Sequence, residues 1–233
     1  NAPEITLRDS ASGTPFAVMR TNDHGDLILE ADNGNAAGSS NIEFKVDGAT
    51  AATIASGGTL TVGSLDIGHG ANGDTASTAV GQNALDANGS ATTAVGNTAI
   101  GDGALTALNH KDADYNTMVG RNAGSSITSG DRNVGVGASA LLNSDTGTGN
   151  TAVGTNSLGA DCADDNVAIG YNTLVAFTGS DATAVGSGAA DAATIAANLT
   201  AVGKGAAGAL TEGDDNTAIG TEALDNCVTG AQN

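Results

Sequence analysis

The stretch Asn150-Thr151-Ala152-Val153-Gly154-Thr155-Asn156-Ser157-Leu158 holds the unit from which most of this chain is built. From residue 77 onward its Val-Gly step, or an Ile-Gly equivalent, recurs ten times, at Gly81, Gly96, Gly101, Gly120, Gly137, Gly154, Gly170, Gly186, Gly203 and Gly220. After Gly101 the intervals are 19, 17, 17, 16, 16, 17 and 17 residues. Gly96 precedes Gly101 by only five, so that pair reads as one irregular coil and leaves about nine coils. Repeats of this length mark stacked, solenoid-like architectures.

The surroundings of the glycine are as regular as its spacing. Three before it stands Thr, or Val at Val134 and Val167; two before it the residue is Ala or Gly, except for Met118. Four after it comes Leu at Leu85, Leu105, Leu141, Leu158, Leu174 and Leu224, and Asn often opens the unit, as at Asn116, Asn133 and Asn150. A three-residue Thr-Ala-Val strand places Thr and Val on one face, because side chains alternate with period two. Glycine then allows a turn that a Cβ would oppose, and a loop of Asp, Asn, Gly and Thr returns the chain.

The expectation is therefore an all-β chain with a parallel β-roll, or β-solenoid, of about nine coils of 16–17 residues over 77–233. At about 4.8 Å per stacked strand it makes a rod on the order of 40 Å long. Val80, Val95, Ile100, Val119, Val136, Val153, Ile169, Val185, Val202 and Ile219 are expected to form its core with the recurrent Leu. Thr and Val are expected to point inward, with Ala outward. Each coil buries few large side chains, so a lone stack is thin for the entropy it must offset. This predicts a homo-oligomer, most simply a trimer packed through the Ala face.

Composition agrees with a thin, backbone-bonded structure. The 233 residues include 35 Gly and no Trp, and aromatics are 2%, too few for a thick core. With 26 acidic and 7 basic residues the formal charge is −19, which opposes nucleic acid as a partner. No run of 18 apolar residues occurs, so membrane insertion is not expected. The opening Asn1-Ala2-Pro3 has no initiator Met and no signal core, so the chain reads as processed or excerpted. Cys162 and Cys227 occupy similar places four coils apart, roughly 19 Å at the strand spacing. That separation predicts unpaired thiols.

Residues 1–65 lack the repeat. Strand-like runs stand at Ile5–Leu7, Phe16–Met19, Leu27–Leu29, Ile42–Val46 and Leu60–Val62, separated by turn signals such as Asp32-Asn33-Gly34. This reads as a small antiparallel β module, followed by a linker or first irregular coil at 66–76.

The units Asn150–Leu158 and Asn216–Leu224 resemble the head repeats of trimeric autotransporter adhesins, and more closely related repeats in phage tail-fibre proteins. The segment Ile42–Gly48 followed by Ile54–Gly63 resembles the β modules that precede such repeats in fibres. The resemblance implies a trimeric, left-handed parallel β-roll acting as a structural part of a surface fibre. The expected role is a non-enzymatic tail or head fibre of a phage virion, in contact with other virion proteins and with a host-surface glycan or protein. The alternative is a bacterial surface adhesin or secreted filament subunit on the same roll.

Chemical motifs add little. Gly203-Lys204-Gly205-Ala206-Ala207-Gly208 matches a dinucleotide fingerprint by letter, but that motif needs a buried strand before it and a helix after it. His24, His69 and His110 are scattered between modules and loops, with no nucleophile and acid placed beside them. Asp161, Asp164, Asp165, Asp214 and Asp215 are hard oxygen ligands that suit Ca2+, though neither acidic loop fits an EF-hand. No other cofactor is expected. Ice binding, a property of Thr-bearing solenoids, is disfavoured here by the expected inward direction of Thr.

Overall fold

The computed structural model describes residues 4–8, 15–21, 27–31, 42–46, 49–54, 60–62, 65–68, 76–86 and 94–233. The chain divides into two compact units, Asn1–Leu65 and Asp66–Asn233.

In the first unit, β1 (Glu4–Arg8), β2 (Pro15–Thr21) and β3 (Leu27–Ala31) form an antiparallel sheet in that order. A second antiparallel run comprises β4 (Ile42–Val46), β5 (Ala49–Ile54) and β6 (Leu60–Val62). All five expected strand runs lie within these elements. The sequence reading missed β5, because Ala-Thr-Ala-Ala-Thr has weak strand propensity and owes its conformation to pairing on both sides.

Strand β7 (Leu65–Gly68) starts on the last residue of the first unit, and in the second its Ile67 and Gly68 pair antiparallel with β8 (Thr78–Val80). The start of the expected linker is thus a strand, and its residues 69–75 lie outside the described residues. From β8 onward the sheet is parallel, through β9 (Thr98–Ile100), β10 (Thr117–Val119), β11 (Val134–Val136), β12 (Thr151–Val153), β13 (Val167–Ile169), β14 (Thr183–Val185), β15 (Thr200–Val202) and β16 (Thr217–Ile219). Register never slips: Val134 faces Thr151, Thr151 faces Val167, and so along the stack. From β8 onward the chain is a parallel β-solenoid.

The strand faces are the reverse of the expectation. The middle residue points inward: Ala99, Met118, Ala152, Ala168, Ala184 and Ala201 are fully buried. Ile100, Val136, Ile169 and Ile219 are exposed, and Val80, Val119, Val153, Val185 and Val202 only half-buried. Period-two alternation ties Thr and Val to one face without choosing which face is inside. The interior is narrow and already holds Leu and Asn, so it accepts the small residue and turns the β-branched pair out. Val95 is not in a strand at all. Thr98 pairs directly with Thr78, so Val95-Gly96 lies in the return loop of a longer first coil.

The Leu column is inside, with Leu85, Leu105, Leu141, Leu158 and Leu174 buried and Leu224 partly so. Its backbone is unusual, for Leu158 has φ 48° and Leu174 φ 51°, in the left-handed region. The gain is a hydrogen bond along the stack, as Leu158 N–H donates to the Thr173 carbonyl at 3.1 Å and Leu174 N–H to that of Ala189 at 3.1 Å. A further inner column, absent from the expected core, runs through Leu108, Ile127, Phe177 and Leu210.

The periodic glycines close the turn. Gly154 has φ +135°, and a Cβ on it would sit 2.6 Å from the carbonyl carbon of Gly170 in the next coil. Only glycine permits that approach.

Candidate functional site

A column of buried asparagines runs beside the strands. Asn116, Asn133, Asn150 and Asn166 are fully buried, and each is hydrogen-bonded to the next. The Oδ1 of Asn116 accepts from the Asn133 N–H at 3.0 Å, and that of Asn133 from the Asn150 N–H at 2.8 Å. The Nδ2 of Asn133 donates to the Gly147 carbonyl at 2.7 Å, so both ends of the amide are satisfied in the interior. Ala182 and Leu199 interrupt the column, and Asn216 resumes it with Asn233. The recurrence of Asn was legible in the sequence; its burial and its ladder were not.

The acidic turns serve the backbone. Asp161 Oδ1 accepts from the Asp145 N–H at 2.9 Å, Asp164 Oδ1 from the Thr148 N–H at 2.8 Å, and Asp214 Oδ1 from the Ala197 N–H at 3.0 Å. Asp215 takes the Asn198 amide at 2.9 Å, and Asp165 adopts φ 59°. Asp161, Asp164, Asp214 and Asp215 thus each accept from a donor of the preceding coil. Among the described residues no group of three or more His, Cys, Asp or Glu is placed to hold a metal ion.

The remaining sequence candidates are also dispersed. His110 lies in an exposed loop 3.7 Å from Asp112, whose carboxyl is held below its ordinary range chiefly by the Lys111 ammonium at 2.6 Å. His24 and His69 lie outside the described residues. Gly203–Gly208 continues from β15 into turns, with no helix to receive a phosphate. Cys162 is buried, Cys227 partly so, and both are free thiols.

Two surface features remain. The first is the outward face of β8–β16, where Thr or Val forms one column and Val or Ile the other, with no charged side chain in either. The second is an open groove of about 500 Å³ on the turn side of the last coils. Its ends are marked by Tyr171 and Asn172 on one coil and Glu222 on another, three steps away, or roughly 14 Å at the strand spacing. Two glycines, Gly188 and Gly205, make its floor, in the left-handed position that Asn122, Asn156 and Asn172 fill elsewhere.

Compared with protein-family models, with curated proteins and with solved structures, the chain has no match.

Proposed function

We propose that this chain is a non-enzymatic structural fibre segment that assembles as a homotrimer through the outward face of its parallel sheet. The observation that carries the reading is that face: nine strands of Thr, Val and Ile, uncharged from end to end, with Ile169 40% and Ile219 70% exposed. An uninterrupted uncharged surface with an exposed Val and Ile column is the kind that supports association. Three such faces turned toward one axis close a cyclic assembly and leave none exposed. The packing surface is thus the β-branched one, not the Ala face expected from the sequence.

As its place we propose a phage virion, in a tail or head fibre. Support comes from the repeat units at Asn150–Leu158 and Asn216–Leu224 and from the β module before them. The alternative is a bacterial surface adhesin or secreted filament subunit. In either setting the partners are copies of itself, other fibre proteins and a host-surface molecule.

Light scattering after size-exclusion chromatography tests the assembly. The expected mass is near three times 22.3 kDa. The pair Val153→Asp and Ile169→Asp should reduce it to the monomer with β-type circular dichroism retained. A folded wild-type monomer overturns the trimer.

A second reading draws on the same face. Outward Thr in register with Val is what an ice-binding sheet requires, and the inward Thr that argued against it is not found. A monomer that shows thermal hysteresis, lost in Thr151→Lys, would favour this reading over the fibre.

A further inference from the structure

The side chains that line the groove on the last coils do none of the backbone capping seen at Asp161, Asp164 and Asp214. On the adjoining coil a side chain of this column bonds to the next, as Asn156 Nδ2 donates to Asn172 Oδ1 at 3.1 Å. That contact is not continued beyond Asn172, because the next two positions are Gly188 and Gly205. Within the groove Asp191, Lys204, Glu222 and Asp225 form no ion pair or side-chain hydrogen bond with the described residues. Tyr171 is 57% exposed at one end.

The carboxylates are also aimed. A Cβ on Gly208 would lie 3.1 Å from Asp225 Oδ1 and 3.7 Å from Asp191 Oδ1, so two acids from coils on either side lean over one vacant position. Another Cβ, on Gly188, would lie 3.6 Å from Asp191 Oδ2, so the same side chain borders both gaps. Glycine backbone, an aromatic ring at one end, a pair of carboxylates and an ammonium are thereby gathered in the lining of one concavity. Its volume falls within the few-hundred-ångström-cubed range of small-ligand sites.

We infer that this groove binds a neutral or amino-bearing saccharide. Carboxylates accept from vicinal hydroxyls, Lys204 and the Asn172 amide donate to ring and glycosidic oxygens, and the Tyr171 face receives the C–H face of a pyranose. Three acids against one Lys, on a chain of charge −19, repel uronic and sialic sugars and favour an amino group. The inference rests on the fibre reading for its biological meaning, since it makes the groove a receptor subsite. The binding itself does not require a trimer.

The test uses the full chain and immobilised tetrasaccharides of N-acetylglucosamine, glucosamine, β-linked glucose and galacturonate. Binding to at least one of the first three and none to galacturonate is expected. Tyr171→Ala should weaken it at least tenfold. Gly188→Asn restores the residue other coils carry in this conformation, so it should fold normally and weaken binding at least tenfold by filling the floor. No binding to the three non-acidic sugars, preferential binding of galacturonate, or binding indifferent to both variants overturns the inference. A trimer that binds none of them sinks the groove alone; a monomer that binds and responds to both variants sinks the trimer alone.

Discussion

Met118 and Gly135 are direct partners in adjacent strands, and the Met118 thioether fills the space that a side chain on Gly135 would occupy. The pair replaces the Ala–Ala contact seen between β12 and β13, where Ala152 faces Ala168. One coil gives up a side chain so that its neighbour can carry a large one.

The pair should therefore be coupled. Gly135→Ala overpacks the site and should cost about 1–3 kcal/mol, and Met118→Ala leaves a cavity worth about 2–5 kcal/mol. The double substitution recreates the Ala–Ala contact and should be less destabilising than the sum by ~1 kcal/mol or more. Urea unfolding of the four proteins measures this, and strict additivity would disprove the coupling.

The asparagine column predicts a local cost that an exposed amide does not share. Asn133→Ala strands the Gly147 carbonyl and leaves the Asn150 N–H without the Asn133 acceptor, both inside the coil. About 1–3 kcal/mol per stranded group is expected. Asn143, exposed and donating to the Gly159 carbonyl at 2.6 Å, supplies the control. Its Ala variant should stay within about 1 kcal/mol of wild type in the same unfolding measurement.

Glycines of the solenoid should divide into two classes. Gly154→Ala forces a Cβ against the Gly170 backbone at a φ of +135°, which no flexible side chain can relieve. Loss of soluble folded protein, or a melting temperature lower by about 10 °C or more, is expected. Gly188→Asn, at φ +65° with only the Asp191 carboxylate at 3.6 Å, an ordinary contact distance, should melt close to wild type.

Cys162 gives the fold an alkaline weakness. Burial, first, pushes its thiol above the ordinary value, and the charges of Asp161 and Asp164 add to this, against the opposing contact with Ser144. A raised native value means that the thiol's contribution is complete below the unfolded-state pKa and is lost as pH climbs toward the folded one. Urea midpoints between about pH 7 and pH 10 should fall more for wild type than for Cys162→Ala. Native protein should alkylate at Cys227 alone, and Cys162 only after denaturation. Equal labelling of both in the native state would contradict the burial.

Much of this architecture could be read from residue order, and the failures have one physical origin. The glycine period, the Leu column and the separation of the two cysteines follow from spacing, which sequence carries directly. The direction of Thr151 and Val153 does not, because alternation is blind to which side of a three-residue strand holds the narrow interior. Likewise the repeated Asn was visible while the Asn133–Asn150 contact was not, since it joins residues 17 apart through stacking. The groove is legible only in retrospect, as Gly188 and Gly205 standing where Asn stands in neighbouring units.

The register that never slips gives the molecule a graduated scale. Successive glycines are separated by 19 residues between Gly101 and Gly120 and by 16 or 17 further on, yet each coil still advances the sheet by one strand. Surplus chain is absorbed sideways, in loops, and the axial dimension is counted in hydrogen-bonded steps of about 4.8 Å. Insertions in the return loops leave end-to-end distance unchanged, while removal of a whole coil shortens it by one graduation. A lineage can therefore redecorate the flank of this rod and adjust its reach by independent genetic events.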